Sequence, residues 1–185
     1  MSVTQNSRIG PSYNLTYRLA RAVWLIAWLL LARWTPPPLH AWRSFLLRCF
    51  GAKVGQGVHV YSGVKIWAPW NLEIGDQTGI GNGATLYAQG KINLGKRVVI
   101  SQGAHLCGGT HDYTLKGFPV IPGDITIEDD VWIAAEAFVH PGLRIQEGAI
   151  LGARAVAVKD LEAWTIYAGN PAKKIKTRRL SEKQS

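Results

Sequence analysis

The sequence predicts a mainly β chain: a parallel β-helix of about five coils, preceded by two α-helices and interrupted by one protruding loop. Three observations carry this. An aliphatic residue returns every six positions through Val54, Val60, Ile66; Ile74, Ile80, Leu86; Leu94, Ile100, Leu106; Ile127, Ile133, Val139; Ile145, Leu151, Ala157. The fifth place of each hexad is mostly small or β-branched, as at Val58, Thr78, Ala84, Ala104, Ala137 and Ala155. Glycine, Asn and Asp cluster between, as in Gly75-Asp76, Gly81-Asn82-Gly83 and Gly95-Lys96. A helix repeats at about 3.6 residues and a plain strand at about 2. A period of six with turn residues instead needs short strands joined by tight corners.

The elements follow in order. Residues 1–16 are polar and contain Gly10-Pro11, which predicts a loose tail. Residues 17–34, YRLARAVWLIAWLLLARW, predict a helix whose apolar stretch, Ala22–Ala32, is eleven residues long. A membrane span needs about 20. This helix therefore either packs on the protein or a neighbouring subunit, or lies at a bilayer surface with its tryptophans and arginines at the headgroups. Thr35-Pro36-Pro37-Pro38 ends it, because proline cannot continue a helix. Residues 39–50 predict a second helix with Leu39, Trp42, Phe45, Leu46, Cys49 and Phe50 on one face. The predicted divisions are residues 1–53 for tail and helices, 54–162 for the β-helix, and 163–185 for a basic C-terminal extension. Three hexads make one coil, and slips at residues 72–73 and 92–93 fall where a corner absorbs them.

Composition excludes several classes. The net charge is +9. Residues 1–50 hold six arginines and no acid, and residues 173–185 hold six basic residues and one acid, so the folded middle is slightly acidic. A nucleic-acid binder shows a basic face on its folded domain; no nucleic-acid partner is expected. Basic ends suit phosphate-bearing small molecules or an anionic membrane surface. Cys49 and Cys107 form no CxxC or Cys/His ligand pattern and read as reduced thiols of a cytoplasmic protein. No secretory signal pattern opens the chain. Gly79-x-Gly81-x-Gly83 precedes no strand–helix unit and reads as coil corners.

The hexad rhythm stops once, after LCGGTHD. Residues 112–126 are a loop thrown out before the fourth coil starts at Ile127. A regular prism has flat faces, and an extruded loop makes a wall beside which a cleft forms. His111 stands at the loop root. A neutral imidazole can accept a proton and, once charged, give it back. Its second ring nitrogen needs an orienting acceptor: adjacent Asp112, or a backbone carbonyl. Gly108-Gly109 could offer N–H groups to an oxyanion or form a plain turn.

The repeat over residues 54–179 resembles the hexapeptide-repeat, left-handed β-helix acyltransferases. GVHVYSGVKIWAPWNLEIGD, SQGAHLCGGTHDY, VWIAAEAFVHPGLRI and AGNPAKKIKTR, with the Trp-rich start and PPPLHAWRSFLLRCFGAKVG, resemble the colanic-acid and exopolysaccharide type of O-acetyltransferase. The resemblance implies a left-handed triangular prism, a homotrimer, acetyl-CoA as co-substrate, a saccharide acceptor, and His111 as catalytic base. By motif match it implies main-chain contacts to CoA at Ala135 in WIAA and Ala153 in GAR. It implies phosphate contacts at Lys159 in VKD and at Lys173 and Lys176, with Arg178 as a further cation. A cytoplasmic protein is expected, with weak peripheral contact at the inner membrane through residues 17–34. The competing readings are a non-saccharide acceptor (amine, serine or antibiotic), a non-catalytic scaffold, and a zinc carbonic anhydrase. The last requires three histidines on one metal, and no third ligand joins His105 and His111 by spacing, so no metal is expected.

Overall fold

The structure, a computed structural model, describes residues 13–180. Of the expected tail, residues 1–12 lie outside that range.

Three parallel sheets form the faces of the coil. The first stacks Lys53–Val54, Leu72–Ile74, Ile92–Leu94, Ile125–Ile127 and Arg144–Ile145. The second stacks His59–Val60, Gly79–Ile80, Val99–Ile100, Trp132–Ile133, Ile150–Leu151 and Thr165–Ala168. The third stacks Lys65–Ile66, Thr85–Tyr87, His105–Cys107, Phe138–Val139 and Val156–Ala157. Hexad first positions are in register along each face, as in Ile133 opposite Ile100 and Leu151. From Val60 to Ala157 every one of them is buried, and Val54 at the end of the stack is half-buried. Each fully buried Val, Leu or Ile contributes roughly 1.5–3 kcal/mol, so this column is the core. The small fifth positions fill the space behind the corners. Thr78, the buried polar exception, donates to Gly95 O at 2.7 Å and accepts from Val98 N at 3.1 Å.

The corners repeat one device. Asp76 Oδ1 accepts the Gln56 N–H at 2.9 Å, Asp129 that of Lys96 at 2.8 Å, and Asp160 that of Arg144 at 2.8 Å. A carboxylate thus satisfies an N–H that the turn leaves without a ladder partner. The next places take left-handed φ, whether glycine (Gly57, +64°) or not (Arg97, +55°; Asp130, +59°). The slips expected at 72–73 and 92–93 are absorbed between the third and first faces, at the first of them by a 3₁₀ turn over Pro69–Asn71.

The winding continues past the last predicted hexad, to about six turns. Leu161 bridges Ile145 on the first face, and Thr165–Ala168 extends the second. Gly169, Asn170 and Pro171, with a cis Asn170–Pro171 bond, then turn the chain, and Lys173–Thr177 returns antiparallel along Thr165–Ala168. Glu162 falls inside the last coil, between Leu161 and Thr165, so the division expected after 162 cuts that coil.

Helix α1 spans Leu15–Leu31, with Asn14 Oδ1 capping the Tyr17 N–H at 2.9 Å. It is helical two residues earlier than expected and stops before Trp34. It is not uniformly buried. Tyr17, Trp24 and Trp28 face the prism, and Trp24 Nε1 donates to Ile66 O at 2.9 Å. Leu15, Leu19, Val23, Ile26 and Leu30 form an exposed apolar strip. Two of the tryptophans expected at a headgroup boundary are therefore core residues.

Helix α2 spans His40–Cys49 and corrects the expected apolar face. Leu39, Trp42 and Phe45 are exposed, whereas Arg43, Ser44, Leu46 and Leu47 are buried. Arg43 decides the rotation. Its Nε–H donates to Val60 O at 2.5 Å, and its remaining N–H groups reach Thr35 Oγ1 at 2.7 Å, Pro36 O at 3.0 Å and Pro37 O at 2.6 Å. The proline run offers carbonyls and no N–H donors of its own, and the guanidinium fork matches them.

Candidate active site

The excursion from the third coil is a β-hairpin. Gly109–His111 pairs antiparallel with Val120–Pro122, His111 opposite Val120. The chain therefore leaves the prism before residue 112 and rejoins it at Ile125, where Lys91 N donates to Asp124 Oδ1 at 2.7 Å. Close approach requires the glycines. A Cβ on Gly108 would lie 2.8 Å from Tyr87 O, and one on Gly109 would overlap the Gln89 side chain.

His111 is exposed, and its Nδ1–H donates to Phe118 O at 2.6 Å. A carbonyl accepts only, so Nδ1 carries a proton, and in the neutral ring Nε2 is the acceptor. Phe118 reaches this position with φ +47°, a left-handed conformation that a bulky residue rarely holds. Asp112 does not supply the orienting acceptor. Its Oδ1 accepts from Thr114 N at 2.9 Å and Thr114 Oγ1 at 2.5 Å, closing the hairpin turn. Those hydrogen bonds, the hydroxyl's first, hold its carboxyl below the usual range. The Gly108 N–H donates to Tyr87 O at 2.9 Å and is not free for an oxyanion.

The other expected residues lie on different corners. His111 and Lys159 sit between third and first faces, Lys159 following Val156–Ala157. Ala135 and Ala153 sit between second and third faces, stacked one coil apart, with Arg154 N donating to Ala135 O at 2.9 Å. Lys173 enters the returning strand opposite Ala168, beside that same corner. Lys176 lies farther along, opposite Ile166. Arg178 is committed to the fold: its NH1 donates to Asp130 O at 2.8 Å and Gly148 O at 2.9 Å. NH1 thus braces neighbouring coils, and its acceptors are carbonyls and not carboxylates.

Sequence reading missed the outward side of the third face. Trp67, Tyr87, His105, Phe138 and His140 run along it in edge and tilted ring contacts, with His105 and Phe138 centroids 4.9 Å apart. Burial, then Lys65, makes His105 less basic than usual, and its Nε2 has no partner among the described residues. The signal was available: these residues flank the buried hexad first positions, where a strand must point outward. Among the described residues no three or more His, Cys, Asp or Glu side chains gather as a metal cluster.

No protein-family model matches the chain. It is 40% identical over 156 residues, 84% of its length and 86% of the relative's, to "Putative colanic acid biosynthesis acetyltransferase WcaF" of Escherichia coli K12. The chain belongs to the hexapeptide-repeat acetyltransferases of the colanic acid biosynthesis type. Its fold, a left-handed parallel β-helix, is shared with solved structures at 22% identity. A maltose O-acetyltransferase from Clostridium difficile 630 superposes with a TM-score of 0.81, covering 90% of each chain. A galactoside acetyltransferase in complex with coenzyme A superposes at 0.83, covering 97% of this acetyltransferase and 92% of that chain. No helix among the described residues is long and apolar enough to cross a membrane.

Proposed function

We propose that this acetyltransferase moves an acetyl group from acetyl-CoA to a saccharide hydroxyl, with His111 as general base. The observation that carries the reading is His111 itself, oriented through Nδ1 by the Phe118 carbonyl on an exposed hairpin, with Nε2 left for a substrate proton. Nε2 takes the hydroxyl proton as the oxygen attacks the thioester carbon. The tetrahedral adduct collapses, the C–S bond breaks, and the imidazolium returns the proton to the CoA sulfur. Ala135 and Ala153 supply a main-chain corner for pantetheine, and Lys159, Lys173 and Lys176 supply cations for the CoA phosphates. The protein works in the cytoplasm, with peripheral membrane contact through the outer strip of α1.

A homotrimer is part of this reading. His111 and the Ala135–Ala153 column occupy different corners of one prism, so a second copy is the simplest second wall for the site. The hairpin tip supports it: Tyr113 and Phe118 are 84% and 61% exposed. Sedimentation equilibrium is expected to give three times the monomer mass; an active monomer at assay concentration overturns the assembly. The acceptor is tested by following acetyl-CoA consumption with nucleotide sugars, lipid-linked sugars and small amines. Turnover with the saccharides is expected, and turnover with amines alone overturns it.

A further inference from the structure

A cleft of about 510 Å³ separates α1 from the first two coils of the third face. That size lies within the range of ligand sites, roughly 300–1,000 Å³. Its cations are Arg21, Arg33 and Lys65, and no acid lines it. Its remaining walls are largely apolar, with Leu25 and Leu29 of α1 facing Ile66, Trp67 and Leu86. Arg21 is held in place over the Trp67 ring, 3.1 Å from its centroid, and donates to Trp67 O at 3.3 Å. Among the described residues Arg33 and Lys65 have no ion-pair partner. Trp28, 7% exposed and part of the lining, leaves its Nε1–H without an acceptor. Trp67 Nε1–H likewise has no acceptor among the described residues, and three cations with two unused donors in an apolar pocket call for an anion attached to hydrocarbon. A hydrophilic phosphate alone would leave the Leu25 and Leu29 walls without a partner.

The cleft adjoins the hairpin. Tyr87 lines it, Gln89 Nε2 donates to Tyr87 Oη at 2.9 Å, and the Gln89 side chain fills the space against Gly109, the first residue of the strand that ends at His111. On the other side Leu25 and Leu29 lead to the exposed strip of α1, where Val23, Ile26 and Leu30 are 57%, 58% and 66% exposed.

We propose that this cleft binds the phosphate-linked lipid end of the acceptor: a phosphate or diphosphate among Arg21, Arg33 and Lys65, with the hydrocarbon along α1 and the attached sugar directed to His111. The proposal rests on the saccharide reading above and names the carrier of that saccharide.

Binding to the full chain by isothermal titration tests it, with farnesyl diphosphate as probe and inorganic diphosphate, farnesol and coenzyme A as comparators. Farnesyl diphosphate is expected to bind at least tenfold more tightly than either inorganic diphosphate or farnesol. The double substitution Arg33→Gln, Lys65→Gln is expected to weaken it about tenfold or more, since charge-assisted contacts are lost, while farnesol and coenzyme A binding stay unchanged. Equal binding of inorganic diphosphate and farnesyl diphosphate would reduce the cleft to a free-phosphate site and overturn the lipid assignment. Competition by coenzyme A would give the cleft to the co-substrate instead, and no binding of farnesyl diphosphate would also sink the proposal. Farnesyl diphosphate binding without acetylation of any saccharide would leave the cleft standing and reject the acceptor reading; acetylation of soluble sugars without binding would do the reverse.

Discussion

Replacing His111 by alanine is expected to lower turnover roughly 10²–10⁴-fold, the usual worth of a positioned general base. A sugar hydroxyl is a poor nucleophile until its proton is accepted in the transition state, and the hairpin leaves Nε2 free to accept it because Nδ1–H is engaged by Phe118 O. In the proposed mechanism the ring meets only the reacting end, so affinity for acetyl-CoA is expected to change little. Asp112→Asn is expected to act differently. Its carboxylate holds the Thr114 turn and not the imidazole, so its effect is on the hairpin and well below that of His111→Ala. Steady-state rates of the two folded variants check both statements. Undiminished turnover in His111→Ala would assign the proton to another group, and an equal loss in Asp112→Asn would restore the carboxylate to the imidazole.

Arg43→Met is expected to destabilise the protein by about 3–5 kcal/mol. The side chain is fully buried, and its N–H groups serve the Val60, Pro36 and Pro37 carbonyls and the Thr35 hydroxyl. Each buried acceptor left without a donor costs about 1–3 kcal/mol, less where water enters. Methionine preserves the apolar stem, so the loss reports the guanidinium and not a cavity. At about 2–4 °C per kcal/mol for a chain of this length, the melting temperature is expected to fall by roughly 6–20 °C. Arg43→Lys is not expected to restore it, because one ammonium cannot span the fork. A melting temperature within about 2 °C of the parent for Arg43→Met would show that α2 is held by Leu46 and Leu47 alone.

The two variants probe residues of opposite legibility. His111 was visible in the sequence because it stands where a strict period fails, and an interruption of a regular scaffold marks a place where the chain does something other than wind. Arg43 was invisible. Helical spacing put Leu39, Trp42 and Phe45 on the buried face of α2, yet all three are exposed, because the proline run and Val60 present carbonyls that only the arginine can satisfy. The same holds for α1: eleven apolar residues in a row conceal which side faces the prism, and contacts such as that of Trp24 with Ile66 O settle it.

The hexad period determined the coil, its buried column and the place of the excursion. These depend on residues near one another in sequence, and each hexad states its own inward side and its own corner. The same register gives the corners once the residues per coil are counted, 20 between Val54 and Ile74 and 18 between Ile127 and Ile145. Ala135 and Ala153 therefore share a corner while His111 stands at a different one. The sequence could not choose between Asp112 and a carbonyl as the partner of His111. Both were within reach along the chain, and only the antiparallel pairing of the hairpin, with Phe118 turned to left-handed φ, brought the carbonyl to the ring and left the carboxylate to the turn.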